Sequence, residues 1–330
     1  MTTVIKNGTV YQNGHLIKAD VLIDGQKIKA IGTDLEGEET IDASGMIVSP
    51  GLVDVHVHYR DPGQTYKEDI KTGSQAAARG GFTTVGAMPN VTPVPNTAEL
   101  MEKMVRENQK KGLVHILQYG PVTKDETTDI IPDYAELKKA GAFALSNDGH
   151  GVQSAQTMYL AMQKAKENNL IIAVHAQDDS LFNKGIVNEG VAAEKLDLPP
   201  VTELAETTQI ARDLLLAQKT RVHYHICHVS TKTSVELVRL AKARGIKVTC
   251  EVAPHHILLT DSDIPEDNAY FKMNPPLRSK EDQAALLVGL LDGTIDLIAT
   301  DHAPHAKAEK QGGMREAAFG ITGSETAFST

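Results

Sequence analysis

The sequence predicts an α/β protein with a (β/α)8 barrel of the TIM type and a small, incomplete β domain before it. Three observations lead to this prediction. Residues 1 to about 50 alternate short apolar runs with Asn-Gly and Asp-Gly dipeptides, which form tight hairpin turns. After Pro50-Gly51, apolar runs rich in β-branched residues alternate with segments of helical periodicity. Eight such runs can be counted, whereas an open doubly wound sheet has fewer strands and a glycine-rich first turn.

The elements are expected in the following order. Residues 1–50 form a small antiparallel sheet, with strands around 3–5, 21–23 and 28–31, and residues 51–330 form the barrel. The barrel strands are predicted at 52–58, 83–88, 114–119, 142–146, 170–175, 221–226, 247–252 and 296–300. Helices are predicted at 67–79, 97–110, 154–167, 202–218, 233–244 and 280–291, several of them opened by a Ser or Thr that can cap the helix.

The chain stops about 30 residues after the eighth predicted strand. We therefore expect a fragment that is truncated at its C-terminus, just after strand 8, and that lacks the last part of the N-terminal β domain.

Composition excludes several classes of function. The 330 residues contain 33 Lys and Arg against 43 Asp and Glu, and this net charge of -10 disfavours nucleic acid and membrane surfaces as partners. The sequence has no apolar stretch of about 20 residues and no signal-peptide pattern, so a cytoplasmic protein is expected. Two cysteines are too few for a disulfide framework. Histidine is frequent, with 13 residues against 8 Tyr and 6 Phe.

The first predicted strand carries two of these histidines at its C-terminal end. Residues two apart in a strand share a face, so His56 and His58 point the same way and Val53, Val55 and Val57 are expected to face helices. A single buried histidine is most often a packed core residue. Two imidazoles about 6–7 Å apart on one face can reach a single metal ion, and this pairing favours a metal site.

The same pattern recurs along the chain. His175 ends the fifth run, His228 follows the sixth, Asp301 ends the eighth and Asp148 lies just past the fourth. All are predicted at the C-terminal rim, where barrel active sites are built. Imidazole and carboxylate ligands suit Zn²⁺ better than Mn²⁺, Co²⁺ or Fe²⁺, and six ligands predict two ions that share a bridging carboxylate.

Other histidines have simpler interpretations. His223 and His225 have the opposite parity to His228 and are expected to face helices, while His255 and His256 are expected to support the ligands or to be structural. His150 lies in a glycine-flanked loop and receives no role.

Two segments are specific enough to show a family resemblance. Residues 54–63 (DVHVHYRDPG) and 299–305 (ATDHAPH) resemble the signature segments of dihydroorotases, members of the amidohydrolase superfamily. Further segments support the resemblance in the expected order, at 88–90 (MPN), 148–149 (DG), 174–176 (VHA), 228–231 (HVST) and 272–278 (KMNPPLR).

The resemblance implies a zinc-dependent, cytoplasmic cyclic amide hydrolase. Its small-molecule reaction would be the reversible interconversion of (S)-dihydroorotate and N-carbamoyl-L-aspartate in de novo pyrimidine biosynthesis. It further implies two Zn²⁺ ions per chain, with Asp148 as the bridge and Asp301 as both ligand and general base and acid. The remaining implied ligands are His56 and His58 for the first ion and His175 and His228 for the second.

Many relatives bridge their metals with a carboxylated lysine instead. Lys138 and Lys139 precede the fourth run rather than ending it, so no carbamate is expected here. The substrate contacts implied by the resemblance are Arg60, Asn90, Asn274, His305 and the backbone of Phe319 and Gly320. Arg60 offers a bidentate match for the carboxylate that distinguishes dihydroorotate from dihydrouracil.

Two alternatives stay open at this point. A dihydropyrimidinase, hydantoinase or allantoinase would share the barrel and the His-x-His strand, but Arg60 and the missing bridging lysine argue against it. A catalytically silent scaffold for an aspartate carbamoyltransferase is less favoured, because all six ligand positions are filled. A homodimer and a contact with such a transferase are expected from the resemblance alone.

Overall fold

The computed structural model describes residues 1–329. Contacts between residues divide the chain into two compact units, Met1–Leu52 and Val53–Thr330. Among the helices of residues 1–329, none combines the length and apolar composition that a membrane span requires.

The first unit contains two small sheets rather than the single antiparallel sheet that we predicted. One sheet has the strand order β5-β4-β1-β6 and the other β3-β2-β7, and the pairs β1–β6 and β2–β7 are parallel. The strands are β1 Thr2–Lys6, β2 Thr9–Gln12, β3 His15–Lys18, β4 Asp20–Asp24, β5 Lys27–Gly32, β6 Glu39–Asp42 and β7 Ile47–Val48.

The turn dipeptides explain this difference. Asn13-Gly14 connects the antiparallel pair β2–β3, and the turn after Asp24 connects β4–β5, as hairpin signals should. Asn7-Gly8 instead passes the chain from one sheet to the other. Asn7 has φ 63°, and a Cβ on Gly8 would lie 2.6 Å from the Val48 side chain, so only glycine fits there.

The second unit is a parallel eight-stranded sheet with the order β17-β16-β15-β12-β11-β10-β9-β8. Its two edges meet where Val57 forms a parallel bridge with His302, and the His58 N–H donates to the His302 carbonyl at 2.9 Å. The predicted barrel is confirmed. The strands are β8 Leu52–Val57, β9 Phe82–Ala87, β10 His115–Pro121, β11 Ala142–Ser146, β12 Ile171–Val174, β15 His223–Ile226, β16 Val248–Val252 and β17 Leu297–Ile298.

Helices connect these strands. The six helices predicted from the sequence are present as α1 Ile70–Arg79, α2 Ala98–Lys111, α4 Ala155–Glu167, α7 Leu204–Thr220, α8 Lys232–Ala243 and α10 Lys280–Leu291. Shorter elements are α3 Tyr134–Lys139, α5 Asp179–Phe182, α6 Val191–Leu196, α9 Pro254–Leu258 and the paired strands β13 Val187–Asn188 and β14 Pro200–Val201. Side-chain oxygens of Thr97, Ser154, Thr231 and Ser279 accept N–H groups in the first turns of α2, α4, α8 and α10.

Two apolar layers fix the position of the strand ends. The larger one lies between strands and helices and includes Ile172, Ile210 and Tyr224. The smaller one fills the barrel interior with Met88, Tyr119, Ala144, Ala173 and Cys227. This interior layer forms an apolar floor, so polar side chains at the carboxyl ends of the strands are concentrated above it.

The outward face of β8 differs from expectation at one position. Val57 is buried, but Val53 is 55% exposed and is not covered by a helix as we predicted. It lies at the N-terminal end of the strand, opposite the end that carries His56 and His58.

Candidate metal centre

Four imidazoles and two carboxylates from different strand ends converge above the apolar floor. Asp148 lies between two histidine pairs. Its Oδ1 is 3.2 Å from His56 Nε2 and 3.5 Å from His228 Nε2, and its Oδ2 is 3.2 Å from His58 Nε2. Asp301 Oδ1 is 3.2 Å from His58 Nε2 and 3.4 Å from His56 Nε2. His175 Nδ1 and His228 Nε2 are 3.0 Å apart.

Hydrogen bonds to the ring nitrogens that face away from the carboxylates set the tautomers of His56 and His58. His56 Nδ1 lies 2.6 Å from Glu251 Oε1, and His58 Nδ1 lies 2.8 Å from Asn90 Oδ1. Both partners are acceptors, so each Nδ1 carries a hydrogen and each Nε2 is the ring nitrogen that faces the carboxylates. Asn90 therefore orients the His58 ring, besides lying in the pocket where a substrate contact was predicted.

In the second pair, His228 also presents Nε2 to the cluster, whereas His175 is oriented in the opposite sense. His175 Nε2 is 3.2 Å from Gln177 Oε1, which also accepts from Asn274 Nδ2 at 2.7 Å. The other ring nitrogen of His175, Nδ1, thus faces His228 and Asp148. Burial, with the His228 imidazole adding to it, lowers the pKa of His175 to about 4, so this imidazole is neutral at pH 7.

Buried carboxylates in this cluster are held in their ionised form. Burial alone would raise the pKa of Asp148 and of Asp301, but the surrounding imidazoles, His56 foremost, outweigh it and hold both pKa values below the ordinary range. The same balance lowers the pKa of Glu251 to about 2, with His56 and His225 as its partners.

The donor set fits divalent metal ions. His56 Nε2 and Asp148 Oδ1 are buried and have no hydrogen-bond partner within residues 1–329. The triads His56, His58, Asp301 and Asp148, His175, His228 each place their ligand atoms within 4.8 Å of one another. The separations of 3.0–3.5 Å agree with the edge of a zinc tetrahedron, about 3.3 Å for bonds of about 2.0 Å. This is a metal-binding arrangement.

The prediction for His225 is wrong. Its side chain does not face a helix but enters the barrel interior, where Nε2 lies 3.0 Å from Glu251 Oε2. The inward face of β15 carries His225 and is continued by Cys227 just after the strand, so strict alternation would have turned His228 outward. His228 instead reaches the cluster because its backbone adopts a left-handed conformation, with φ 32°, which breaks the parity of the strand.

Two supporting residues were missed from the sequence. Glu251 bridges His56 and His225, and Gln177 joins His175 to Asn274. A carboxylate inside the apolar run 247–252 is the signal that could have identified Glu251, because an unpaired charge there would be costly.

The structure also places the lysine that was excluded as a bridge and the two histidines for which a supporting or a structural role was expected. Lys138 lies in α3 with its Nζ 2.6 Å from the Asn168 carbonyl, so it does not enter the cluster. His255 and His256 are both buried, and His256 Nε2 donates to the Pro275 carbonyl at 3.0 Å, which anchors the loop before Arg278.

A pocket of about 270 Å³ opens beside the cluster. Its lining includes every predicted site residue except His56 and His228, namely His58, Arg60, Asn90, Asp148, His175, Asn274, Asp301, His305, Phe319 and Gly320. His305 Nε2 donates to the Phe319 carbonyl at 2.7 Å, and Gly320 N–H donates to the Lys272 carbonyl at 3.0 Å.

Arg60 is the buried cation of this pocket. It is 7% exposed, has φ 53°, and its Nε donates to the Pro304 carbonyl at 3.3 Å. Within residues 1–329, no carboxylate forms an ion pair with it. Burial lowers the pKa of Arg60, Asp301 and Asp148 oppose that change, and the guanidinium stays charged.

Comparison with known proteins finds relatives both in sequence and in structure. Residues 45–234 match the family model described as dihydro-orotase-like. The chain is 97% identical to the dihydroorotase of Lactobacillus johnsonii and 90% identical to that of Lactobacillus gasseri, over its whole length and 78% of each relative. L-Hydantoinase from Arthrobacter aurescens is similar in structure, with a TM-score of 0.87 and 27% identity over 98% of this chain and 75% of that one.

An eight-stranded parallel barrel with clustered histidines and aspartates at its C-terminal rim defines a hydrolase of the amidohydrolase fold, as in this hydantoinase structure. The relatives narrow this class, and the chain belongs to the dihydroorotase family. It is a cyclic amide hydrolase that acts on a small molecule, so the predicted enzyme class and the predicted kind of substrate are confirmed.

Proposed function

We propose that the chain hydrolyses (S)-dihydroorotate reversibly to N-carbamoyl-L-aspartate, with two Zn²⁺ ions per chain. The observation that carries the proposal is Arg60, a buried guanidinium without a carboxylate partner, beside a metal-binding cluster. A buried charge without a partner is costly, and a substrate carboxylate would compensate it. Dihydroorotate has such a carboxylate and dihydrouracil lacks it.

The proposed ligands are those implied by the sequence. His56, His58 and Asp301 would hold one ion, His175 and His228 the other, and Asp148 would bridge them. When bound, the ions would make water a better nucleophile at neutral pH and polarise the scissile amide.

Residues of the chain perform the remaining steps. The ionised Asp301 carboxylate accepts a proton from the attacking water and returns it to the departing ring nitrogen. Arg60 binds the substrate carboxylate, with His305 and the Asn90 amide beside it in the pocket. Asn274 and the Phe319-Gly320 backbone also line the pocket and complete the proposed contacts.

The experiment compares ring opening of dihydroorotate and dihydrouracil by the zinc-loaded chain. A large preference for dihydroorotate is the expected result, because Arg60 then has an anionic partner. Comparable rates on both would move the chain toward the hydantoinase and dihydropyrimidinase activities named for its structural relatives.

Two proposed partnerships have their own measurement. The homodimer and the contact with an aspartate carbamoyltransferase stay predictions, and sedimentation of the chain alone and mixed with the transferase checks both.

A further inference from the structure

Two lysines buried beside the pocket have no role in the proposed chemistry. Lys310 is 8% exposed and Lys272 is 4% exposed. Neither forms an ion pair with a carboxylate within residues 1–329. Buried lysines are rare unless their ammonium groups are satisfied, so the partners that satisfy these two indicate what they do.

Their partners are carbonyl groups of one short segment, residues 317–320, which we call the 317–320 strap. Lys310 Nζ donates to the carbonyls of Ala318 and Gly320, both at 2.9 Å, and to that of Lys272 at 3.3 Å. Lys272 Nζ donates to the Ala317 carbonyl at 2.6 Å. An ammonium group has three N–H donors, so Lys310 uses all of its donors on carbonyls.

The strap also contacts the residues that line the pocket. The carbonyl of Phe319 accepts from His305 Nε2 at 2.7 Å, so all four consecutive carbonyls of the strap bind a side-chain donor. Lys272 Nζ lies 4.3 Å from the centre of the Phe319 ring. At Gly320, with φ 128°, a Cβ would lie 2.7 Å from the Ala303 carbonyl, so the strap packs closely on the loop that carries His305.

We infer that Lys310 and Lys272 are positioning residues that set the affinity for the substrate by holding the 317–320 strap against His305. The inference rests on the proposed function, in which His305 and the Phe319-Gly320 backbone contact the substrate. The lysines do not touch the metal ligands, so their removal changes the shape of the pocket and leaves the cluster intact.

The alternative is a purely structural role in the fold. A structural defect lowers the amount of active enzyme and so lowers kcat and metal content. A misplaced strap raises KM while bound substrate still reacts, which is the signature of an interaction that is equal in ground and transition states.

The test uses Lys310→Met, which keeps the stem and removes the donors, in the zinc-loaded chain. We expect KM for dihydroorotate to rise about tenfold or more, because hydrogen bonds from a charged group to two strap carbonyls are lost. We expect kcat within about threefold of the unsubstituted chain and unchanged zinc content. Lys310→Arg, which restores donors, should recover part of the affinity.

The matched control is Lys307→Met in the same segment, since Lys307 is exposed and lies outside the pocket lining. Lys272→Met provides a second variant, which should raise KM in the same direction if Lys310→Met does not fold. A KM for both variants within about twofold of the control would overturn the inference, and so would parallel losses of kcat and zinc.

Equilibrium binding separates this inference from the proposed function. The same variants are titrated calorimetrically with N-carbamoyl-L-aspartate, which reports affinity without turnover. Weaker binding by Lys310→Met supports the inference even if the unsubstituted chain prefers another cyclic amide. Equal binding by Lys310→Met and the control overturns the inference, even where dihydroorotate hydrolysis itself is observed.

Discussion

Substitution of Arg60 by methionine separates recognition of the substrate from the chemistry of the metal cluster. Methionine keeps an unbranched apolar stem in the pocket and removes the guanidinium. Arg60 is 7% exposed and, within residues 1–329, donates only through Nε to Pro304, so its terminal nitrogens are available to a ligand. A substrate carboxylate bound there loses charge-assisted hydrogen bonds in the variant.

The expected magnitude follows from that geometry. Hydrogen bonds to a charged group contribute about 1.5–3 kcal/mol, which corresponds to a rise in KM for dihydroorotate of about 10- to 150-fold. Dihydrouracil has no carboxylate to lose, so its kcat/KM should change by less than about threefold. Zinc content should not change, since Arg60 donates to a backbone carbonyl and not to a proposed ligand.

The assay is ring opening of both substrates, followed at saturating zinc, beside zinc analysis of each protein. Arg106→Met serves as the control, because the side chain of Arg106 is 66% exposed on α2. A similar fractional loss on dihydrouracil and dihydroorotate, or a loss of zinc, would refute the assignment of Arg60 to the carboxylate.

Three further substitutions test the cluster and its surroundings. Glu251→Gln weakens the hydrogen-bond acceptor of His56 Nδ1, so the dissociation constant for zinc should rise about 10- to 100-fold. Competition with a coloured chelator measures this constant, and an unchanged value contradicts the prediction. Asp301→Asn should lower kcat about 100- to 10,000-fold, and near-normal turnover with zinc still bound would exclude Asp301 as the base. Burial, with the charge of Asp148 adding to it, raises the pKa of Glu126 to about 8, so the native state keeps a proton that the unfolded state loses above about pH 4.5. Stability to urea should therefore fall from pH 5 to pH 8, and Glu126→Gln should remove about 1–3 kcal/mol of that fall; identical pH profiles for the two proteins would show that Glu126 does not cause it.

Much of the barrel could be predicted because its elements are specified locally. Each strand is a short apolar run and most major helices begin at a Thr, Ser or Asp that accepts an N–H of the first turn, as at Asp69 and Ser279. A small β domain was predicted for residues 1–50, but its division into two sheets was not, because the parallel pairs β1–β6 and β2–β7 are non-local. Asn7-Gly8 has the composition of a hairpin turn, yet the strands on either side of it pair with different partners.

The same contrast between locally specified and unpredictable features applies to single residues of the site. His56, His58 and His175 lie on the inward face that strand alternation gives them, and they could be placed from the sequence. His225 and His228 could not both be placed. The left-handed backbone at His228 shifts the inward-outward alternation of side chains by one residue. A positive φ is uncommon at any residue other than glycine, so the presence of a histidine does not predict it.

The proposed substrate contacts in the loops were predictable only through the family resemblance, and the role of Lys310 and Lys272 was not predicted. These lysines are 38 positions apart, and Lys310 Nζ donates to the backbone carbonyl of Lys272. No periodic pattern extends through residues 302–329, so neither hydrophobic spacing nor turn chemistry indicates this meeting.

Closure of the barrel explains how one fold can keep the metal-binding cluster apart from the loop residues proposed to select the substrate. The hydantoinase structure shares this fold with a TM-score of 0.87 at 27% identity, so a difference in substrate must come from side chains on the loops. Arg60 follows the first barrel strand and His305 follows the last, and these strands become neighbours where the barrel closes at the bridge between Val57 and His302. The hydrogen bond from Arg60 to Pro304 joins the two loops at that seam. The proposed metal ligands lie in or just after five of the eight barrel strands, whereas Arg60 and His305 both lie at this closing seam. Substitutions in these loops should therefore change the preferred substrate while the cluster keeps its ligands.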